Sequence, residues 1–209
     1  MNTNVVCLKR SQIDQASEIL ANAFNDDPMF RYLSSEAEQA RTNFLKWNCK
    51  TALRYCQPHN HIYTTASNLK GVAAWIPPGN SSFNILRLLP MLLALPFKLD
   101  WSKLGRVMSL LSTMEEHHKQ DMPQPHWYLA MLGVAPAYQG QRIGSSLLQP
   151  ILKQAEREGL PCYLETSTQQ AVRFYQKQGF EVLWMGELPG GSPSLWTMKR
   201  EPQRELVNG

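Results

Sequence analysis

The stretch from His126 to Gly159 constrains the fold more than any other part of the chain. "HWYLAMLGV" is apolar almost throughout, as a strand covered on both faces must be. "APAYQGQRIGSSLL" follows, rich in small residues and carrying Gly140 and Gly144. Within and beyond it, Ile143, Leu147, Ile151 and Ala155 recur every four residues, the spacing of one buried helix stripe. A buried strand, a glycine-bearing loop and an amphipathic helix, in that order, place a layered α/β or α+β architecture around a mixed sheet.

The flanking pattern agrees. "NVVCLKR" reads as a first strand, and "SQIDQASEILANAF" as an amphipathic helix with Ile13, Ala16, Ile19, Leu20 and Phe24 on one stripe. "NDDPMFRYL" reads as a turn into a short helix, and Glu36 to Cys56 as a longer one. "HIYTTAS" and "GVAAWIPPG" make a hairpin stopped by Pro77, Pro78 and Gly79. From Ser81 to Pro125 the chain is apolar, helical by pattern and broken by prolines, which fits either core-packing helices or a wall over a substrate pocket. After the central unit, whose helix should kink at Pro150 and stop at Gly159, come a strand in "PCYLETS" and a helix in "TQQAVRFYQKQ" stopped by Gly179. "FEVLWMGEL" and "SLWTMKR" close the chain as a hairpin around "PGGSP". The organisation expected is a single domain with an N-terminal part over residues 1–80, a helical insertion over 81–125 and a C-terminal half over 126–200.

Charge and cysteine usage narrow the function classes. A net charge of +4, spread without a basic block, is too mild to argue for nucleic acid. Cys7, Cys49, Cys56 and Cys162 are scattered without metal-ligand spacing, so free thiols in a reducing compartment and no metal site are expected. The N-terminus carries no signal-peptide core. The most apolar stretch, "FNILRLLPMLLALPFKL", is cut by Arg87, Pro90, Pro96 and Lys98, whereas a membrane span needs about 20 unbroken apolar residues. A cytoplasmic protein with no membrane partner is the expectation.

A strand, a glycine-bearing loop and a helix N-terminus make an anion site, because the N–H groups of a first helical turn have no intrahelical acceptors and the helix dipole adds positive charge. The donors here belong to Gln141, Arg142, Ile143, Gly144 and Ser145, with Gly140 and Gly144 admitting a bulky anion closely. The loop matches neither GxGxxG nor GxxxxGK[ST], which disfavours a Rossmann dinucleotide site and a P-loop.

"LGVAPAYQGQRIGSSLL" resembles the acetyl-CoA-binding motif of the GNAT superfamily of N-acetyltransferases, Q/R-x-x-G-x-G/A, with Gln139, Arg142 and Gly144 at its defining positions. "PCYLETSTQQAVRFYQKQGFEV" is similar to the second half of that fold, and its spacing of Leu-Glu-Thr-Ser, Phe-Tyr and Gly-Phe looks closest to the branch typified by puromycin N-acetyltransferase. The resemblance covers roughly Met114 to Arg200 and departs from the family at two positions. Arg142 stands where glycine is usual and is expected to supply its main-chain N–H from a helical conformation. Ala171 replaces an asparagine that helps hold the pantetheine arm.

The resemblance implies a mostly antiparallel sheet flanked by helices, with splayed central strands forming the acetyl-CoA cleft. It further implies that Leu132, Gly133 and Val134 on the central strand, with Gln139 to Ser145, bind the cofactor. The main chain near Leu132 to Val134 would also donate to the developing oxyanion. Tyr175 falls at the position of the acid that protonates the departing thiolate, and Glu165 is a candidate base, with His117, His118 and His126 as rivals. The acceptor expected is a small-molecule amine, with Phe24, Phe30, Tyr32, Trp75 and Phe83 as pocket aromatics and a homodimer as one assembly. Two alternatives stay open: acetylation of proteins or peptides, and a non-catalytic acyl-CoA-binding module.

Overall fold

Seven strands form one sheet in the order β1-β2-β3-β4-β5-β7-β6, in a computed structural model that describes residues 3–34, 37–80, 89, 93–97, 101–188 and 191–203. The strands are β1 Val5–Cys7, β2 Ile62–Thr65, β3 Gly71–Ile76, β4 Trp127–Val134, β5 Cys162–Thr166, β6 Glu181–Glu187 and β7 Ser194–Arg200. Every neighbouring pair is antiparallel except β4 and β5. The first strand is shorter than "NVVCLKR" suggests, because the chain turns into a 3-10 segment at Arg10–Gln12.

The long central strands are apolar in every position because both of their faces are covered. Val72, Ala74 and Ile76 of β3 face helix α1 (Ile13–Ala23), which contributes Ile13, Ala16 and Leu20, and helix α3 (Glu38–Cys56), which contributes Cys49 and Leu53. Ala73 and Trp75, one residue out of phase, face the opposite helix α5 (Ile143–Glu158) and its stripe of Ile143, Leu147, Ile151 and Ala155. That helix continues through Pro150 and ends at Gly159. Helix α6 (Gln169–Gln176) packs Val172 and Tyr175 into the same layer. A third cluster joins helix α2 (Pro28–Leu33) and helix α4 (Trp101–Asp121) to β7 through Met29, Leu33, Val107 and Leu195. All four cysteines are free, and burial pushes the thiols of Cys49, Cys56 and Cys162 up to about 12, which keeps them protonated. No described helix is long and apolar enough to cross a membrane.

Close packing fixes where β4 lies. A side chain at Gly71 would stand 2.9 Å from the main-chain oxygen of Gly133 and 3.0 Å from Leu147, and one at Gly133 would meet Leu20 at 2.7 Å. Glycine is required at Gly71, where the obstacle is main chain, and a side chain at Gly133 would displace Leu20, because β4 is pressed between β3 and α1. Gly71→Ala must push a main-chain carbonyl rather than a flexible side chain, so it should lower folding stability by about 1–3 kcal/mol. Urea denaturation at constant slope reads this loss.

Candidate active site

The site originates in a strand pair that separates. β4 and β5 pair only at Trp127 with Cys162 and Tyr128 with Tyr163, after which β4 follows β3 to Val134 and β5 follows β7 to Thr166. The parting coincides with a bulge in β4. Trp75 opposes Leu129 and Ala74 opposes Met131, so Ala130 is the extra residue that bends the strand. The N–H of Ala135 donates to Lys70 at 2.8 Å, toward the β3 side. Strand alternation then turns the main-chain groups of Leu132 and Val134 the other way, into the cleft. The Val134 carbonyl accepts there from Gln139 Nε2 at 3.1 Å.

The loop after β4 delivers the N-terminus of α5 to the same cleft. Gly140 has φ +76°, and Arg142, the N-cap of α5, has φ 61° and ψ 12°. The helical conformation expected for Arg142 is therefore corrected. The chain reverses so tightly between Gln139 and Ile143 that residue 142 sits in the left-handed region, where an L side chain costs about 1–2 kcal/mol. This explains why glycine suits the position. The arginine does not plug the turn: its side chain is exposed and its carbonyl accepts from Ser146 N at 3.0 Å. The first-turn N–H groups of Ile143, Gly144 and Ser145 have no intrahelical acceptors. Gly144 also lets α6 close in, since a Cβ there would stand 3.2 Å from Phe174.

A cavity of about 1060 Å³ runs along these elements. Leu132, Gly133, Val134, Gln139, Gly140, Arg142, Ile143, Gly144 and Ser145 all line it, as do Glu165, Ala171 and Tyr175. Gln141 is the one expected cofactor residue that does not; its side-chain amide turns back to the Ala137 carbonyl at 3.4 Å. Tyr175 is buried between Phe174 and Phe180, and that burial raises its phenol pKa and keeps the proton in place.

Glu165 occupies an unusual environment. Its side chain is 3% exposed, and its Oε1 has no hydrogen-bond partner among the described residues. His118 Nδ1 stands 3.7 Å from that oxygen. Tyr128, whose pKa is raised first by burial and then by the charge and hydrogen bond of Glu165, lies against the same carboxylate. His118 Nε2 is 2.6 Å from His126 Nε2, and His126 Nδ1 is 2.8 Å from the Gln124 carbonyl. His117, by contrast, stacks on Trp184 with ring centroids 3.8 Å apart and does not line the cavity.

Phe24 and Phe30, stacked at 5.3 Å, also line the cavity, with Met29, Leu33, and Leu110 and Met114 of α4, beside Asn22, Asp26 and Asp27. Of the expected pocket aromatics, Trp75 is instead fully buried in the sheet layer, and Tyr32 packs under Arg106 at 4.4 Å. Phe83 lies outside the described residues. Two residues that sequence reasoning missed tie the halves of the site together. Asp27 caps α2 by accepting from Met29 N at 2.9 Å and Phe30 N at 3.2 Å, and its second oxygen accepts from Ser167 Oγ at 2.8 Å. The cap is legible in "NDDP", since aspartate before an N1 proline is a helix start; the partner 140 residues away is not.

Known proteins are similar to this chain in sequence and in fold. The acetyltransferase (GNAT) family model matches residues 97–180. An uncharacterized N-acetyltransferase of Schizosaccharomyces pombe is 28% identical, over 79% of this chain and 69% of its own length. A crystal structure described as histone acetyltransferase HPA2 and related acetyltransferase, from Corynebacterium glutamicum, shares the fold with a TM-score of 0.66 at 19% identity, covering 99% of this chain and 100% of that one. Arylalkylamine N-acetyltransferase 2 of Aedes aegypti does so with a TM-score of 0.65 at 13% identity, covering 97% and 100%.

Two consequences can be measured. Arg142→Gly removes left-handed strain but adds freedom to the unfolded chain, leaving a net gain of about 0.5–1 kcal/mol, seen as a higher melting temperature. Burial, the largest cause, holds His126 below the ordinary value of 6.5. The unfolded chain therefore takes up a proton first on acidification. This histidine's contribution is intact above about 6.5 and lost as pH falls below it. The drop in urea midpoint between pH 7.5 and 5.5 should shrink in His126→Asn.

Proposed function

We propose that the chain is an acetyltransferase of the GNAT superfamily that transfers the acetyl group of acetyl-CoA to the primary amine of a small, partly apolar molecule, both substrates being bound together. The observation that carries the reading is the continuity of one cavity, from the free N–H groups of α5, along the unpaired edge of β4, to an apolar chamber walled by α2 and α4. Acetyl-CoA supplies the activated acyl thioester.

The fit to that ligand rests on this chain's own groups. The α5 N-terminus offers Ile143, Gly144 and Ser145 N–H groups to a diphosphate, and the cleft-facing amides of Leu132 and Val134 offer an extended arm the hydrogen bonds that a neighbouring strand would make. Recognition by main chain tolerates the arginine at 142. Ala171 removes one side-chain hydrogen bond to the arm, so the β4 edge carries that segment alone. The spacing of "LETS", Phe174–Tyr175 and Gly179–Phe180 is the reason to place the chain nearest the puromycin N-acetyltransferase branch.

In the chemistry proposed, the N–H groups near Leu132 to Val134 face the carbonyl oxygen on which charge develops. Glu165, at the junction of the apolar chamber and the cleft, takes the proton from the acceptor ammonium. Tyr175, held protonated by burial, gives one to the departing thiolate. A small acceptor is favoured over a protein tail because Leu110 and Met114 of α4 line the cavity instead of lying away from it. Solved structures of similar fold include proteins named as acetyltransferases of small amines, an arylalkylamine N-acetyltransferase and an agmatine N-acetyltransferase among them. Two cavity-lining residues with acid–base chemistry, Glu165 and Tyr175, weigh against a binding module without turnover.

Acetyl-CoA should raise the melting temperature in a concentration-dependent way. Thiol release from acetyl-CoA, followed across a panel of primary amines that includes 2-phenylethylamine, should be fastest with apolar members. Tyr175→Phe and Glu165→Gln should each lower kcat by about 10²–10⁴-fold, with acetyl-CoA still binding. Thermal stabilisation with no thiol release from any amine would instead identify a binding module.

A further inference from the structure

We propose that Arg106 is a positioning residue for the acceptor: by tying α2 to α4 it sets how far apart the lining residues of the two helices stand, and so which amines fit. The inference rests on the reading of this cavity as a site for acetyl-CoA and an amine. It adds to that reading a specificity-determining residue that does not itself line the cavity.

Helix α2 is too short to hold its own place. Its six residues, Pro28–Leu33, make fewer than two turns. A helix of that length is not stable by itself in water, so its surroundings decide where it lies. Met29, Phe30 and Leu33 all line the cavity, and any shift of α2 is therefore a shift of the lining.

The packing between α2 and α4 is largely apolar. Met29 and Leu33 share a buried cluster with Val107, and Leu110 and Met114 pack against it. Apolar contact has no direction: it holds two helices together but does not stop one from sliding or turning against the other. Arg106 supplies the missing direction. Its Nη1 donates to the Tyr32 carbonyl at 2.9 Å, and its guanidinium carbon stands 4.4 Å from the centre of the Tyr32 ring. One side chain thus engages both the main chain and the ring of a single α2 residue, which a planar guanidinium can do by donating from its edge and stacking through its face. The first contact fixes the distance of α2 from α4, and the second resists rotation of α2 about its own axis.

The place of Arg106 on α4 makes the effect reach the site. Arg106, Leu110 and Met114 are spaced four apart and share one face of the helix, and the last two line the cavity. The start of α2 is held differently, through Asp27, whose carboxylate caps the helix and accepts from Ser167 Oγ at 2.8 Å. One directional bond to the loop before α6 therefore anchors the beginning of α2, and one to α4 anchors its end. Asp27 and Ser167 line the cavity, so replacing either would mix a lost contact with a lost position. Arg106 separates the two.

Amide hydrogen exchange, followed by nuclear magnetic resonance, tests the anchoring without any substrate. Arg106→Met keeps the length of the side chain but neither its charge nor its donors. In that variant the amides of Arg31 and Ser34, which donate to the Asp27 and Phe30 carbonyls, should exchange about tenfold faster, with those of α5 unchanged. Unaltered exchange in α2 overturns the inference. Kinetics with 2-phenylethylamine and the bulkier tryptamine as probe amines test the consequence. Arg106→Met should raise KM for 2-phenylethylamine about tenfold, keep KM for acetyl-CoA within about twofold, and bring the kcat/KM values of the two amines about 3- to 10-fold closer together. Arg106→Lys, which keeps a cation but not the planar fork, should fall between Arg106→Met and the unmodified protein. Equal losses for acetyl-CoA and amine would show a general loosening and refute the positioning role. Unchanged amine selectivity in Arg106→Met refutes this inference alone, whereas no thiol release by the unmodified protein with any panel amine refutes the acceptor reading along with it.

Discussion

The parting of β4 from β5 is the constraint on which the rest of the site depends. Two residue pairs hold the sheet's halves together, and past Tyr128 and Tyr163 each strand keeps only its outer neighbour. An unpaired edge inside a protein leaves donors and acceptors short of partners, at about 1–3 kcal/mol for each buried group. The fold bears that burden because both halves are anchored elsewhere: β4 is clamped between α1 and β3 at Gly133, and β5 is paired to β7 along its length. On the proposed reading, an extended ligand that fills the gap satisfies what folding leaves open. Glu165 lies within the same opening, which is why a buried carboxylate there reaches the chamber at all.

Helix α4 contributes Leu110 and Met114 to the lining of the cavity. It belongs to the proline-broken segment whose sequence allows either extra core or a pocket wall, and it serves both ends. Val107 joins the cluster with Met29 and Leu195, while Leu110 and Met114, further along, line the cavity. Across the chamber, Asp27 fixes the start of α2 and reaches Ser167 beyond the end of β5. The acceptor side is thereby tied to the loop that leads into α6 and Tyr175. On the proposed reading, this coupling sets the distance between the group that takes a proton and the group that gives one.

Local pattern made most of the fold legible. The β4–loop–α5 unit, the apolar stripe of α5, the α1 stripe and both hairpins follow from periodicities of 2 and 3.6. Glu165 and Tyr175 follow from motif spacing, and both line the cavity. What escaped reading depends on distance or on conformation. The bond from Ser167 to Asp27 and the contact of His118 with His126 join segments that no local pattern relates. The spacing of Leu110, Met114 and His118 held a usable signal, because residues four apart on a helix share a face. Trp75 misled because a large aromatic on an all-apolar strand has a covered sheet face to fill before it has a pocket. Arg142 misled because a one-residue difference in where α5 begins moves it from the right-handed to the left-handed region.

That last displacement shows how the motif tolerates change. If side chains gripped the anion, an arginine in place of glycine would add or remove a contact. The geometry here offers main-chain N–H groups instead, and every residue but proline has one. The substitution is therefore felt as torsional strain at a single N-cap, a local loss of stability, and not as a missing donor. Ala171 is the opposite case, because the asparagine usual there acts through its side-chain amide, which alanine lacks. On the proposed reading, a chain that departs from the GNAT pattern at both positions keeps the parts of the site made from backbone and gives up one made from a side chain. The proposed cofactor affinity then rests on how well the β4 edge and the α5 N-terminus are held, which returns the burden to the clamp on Gly133.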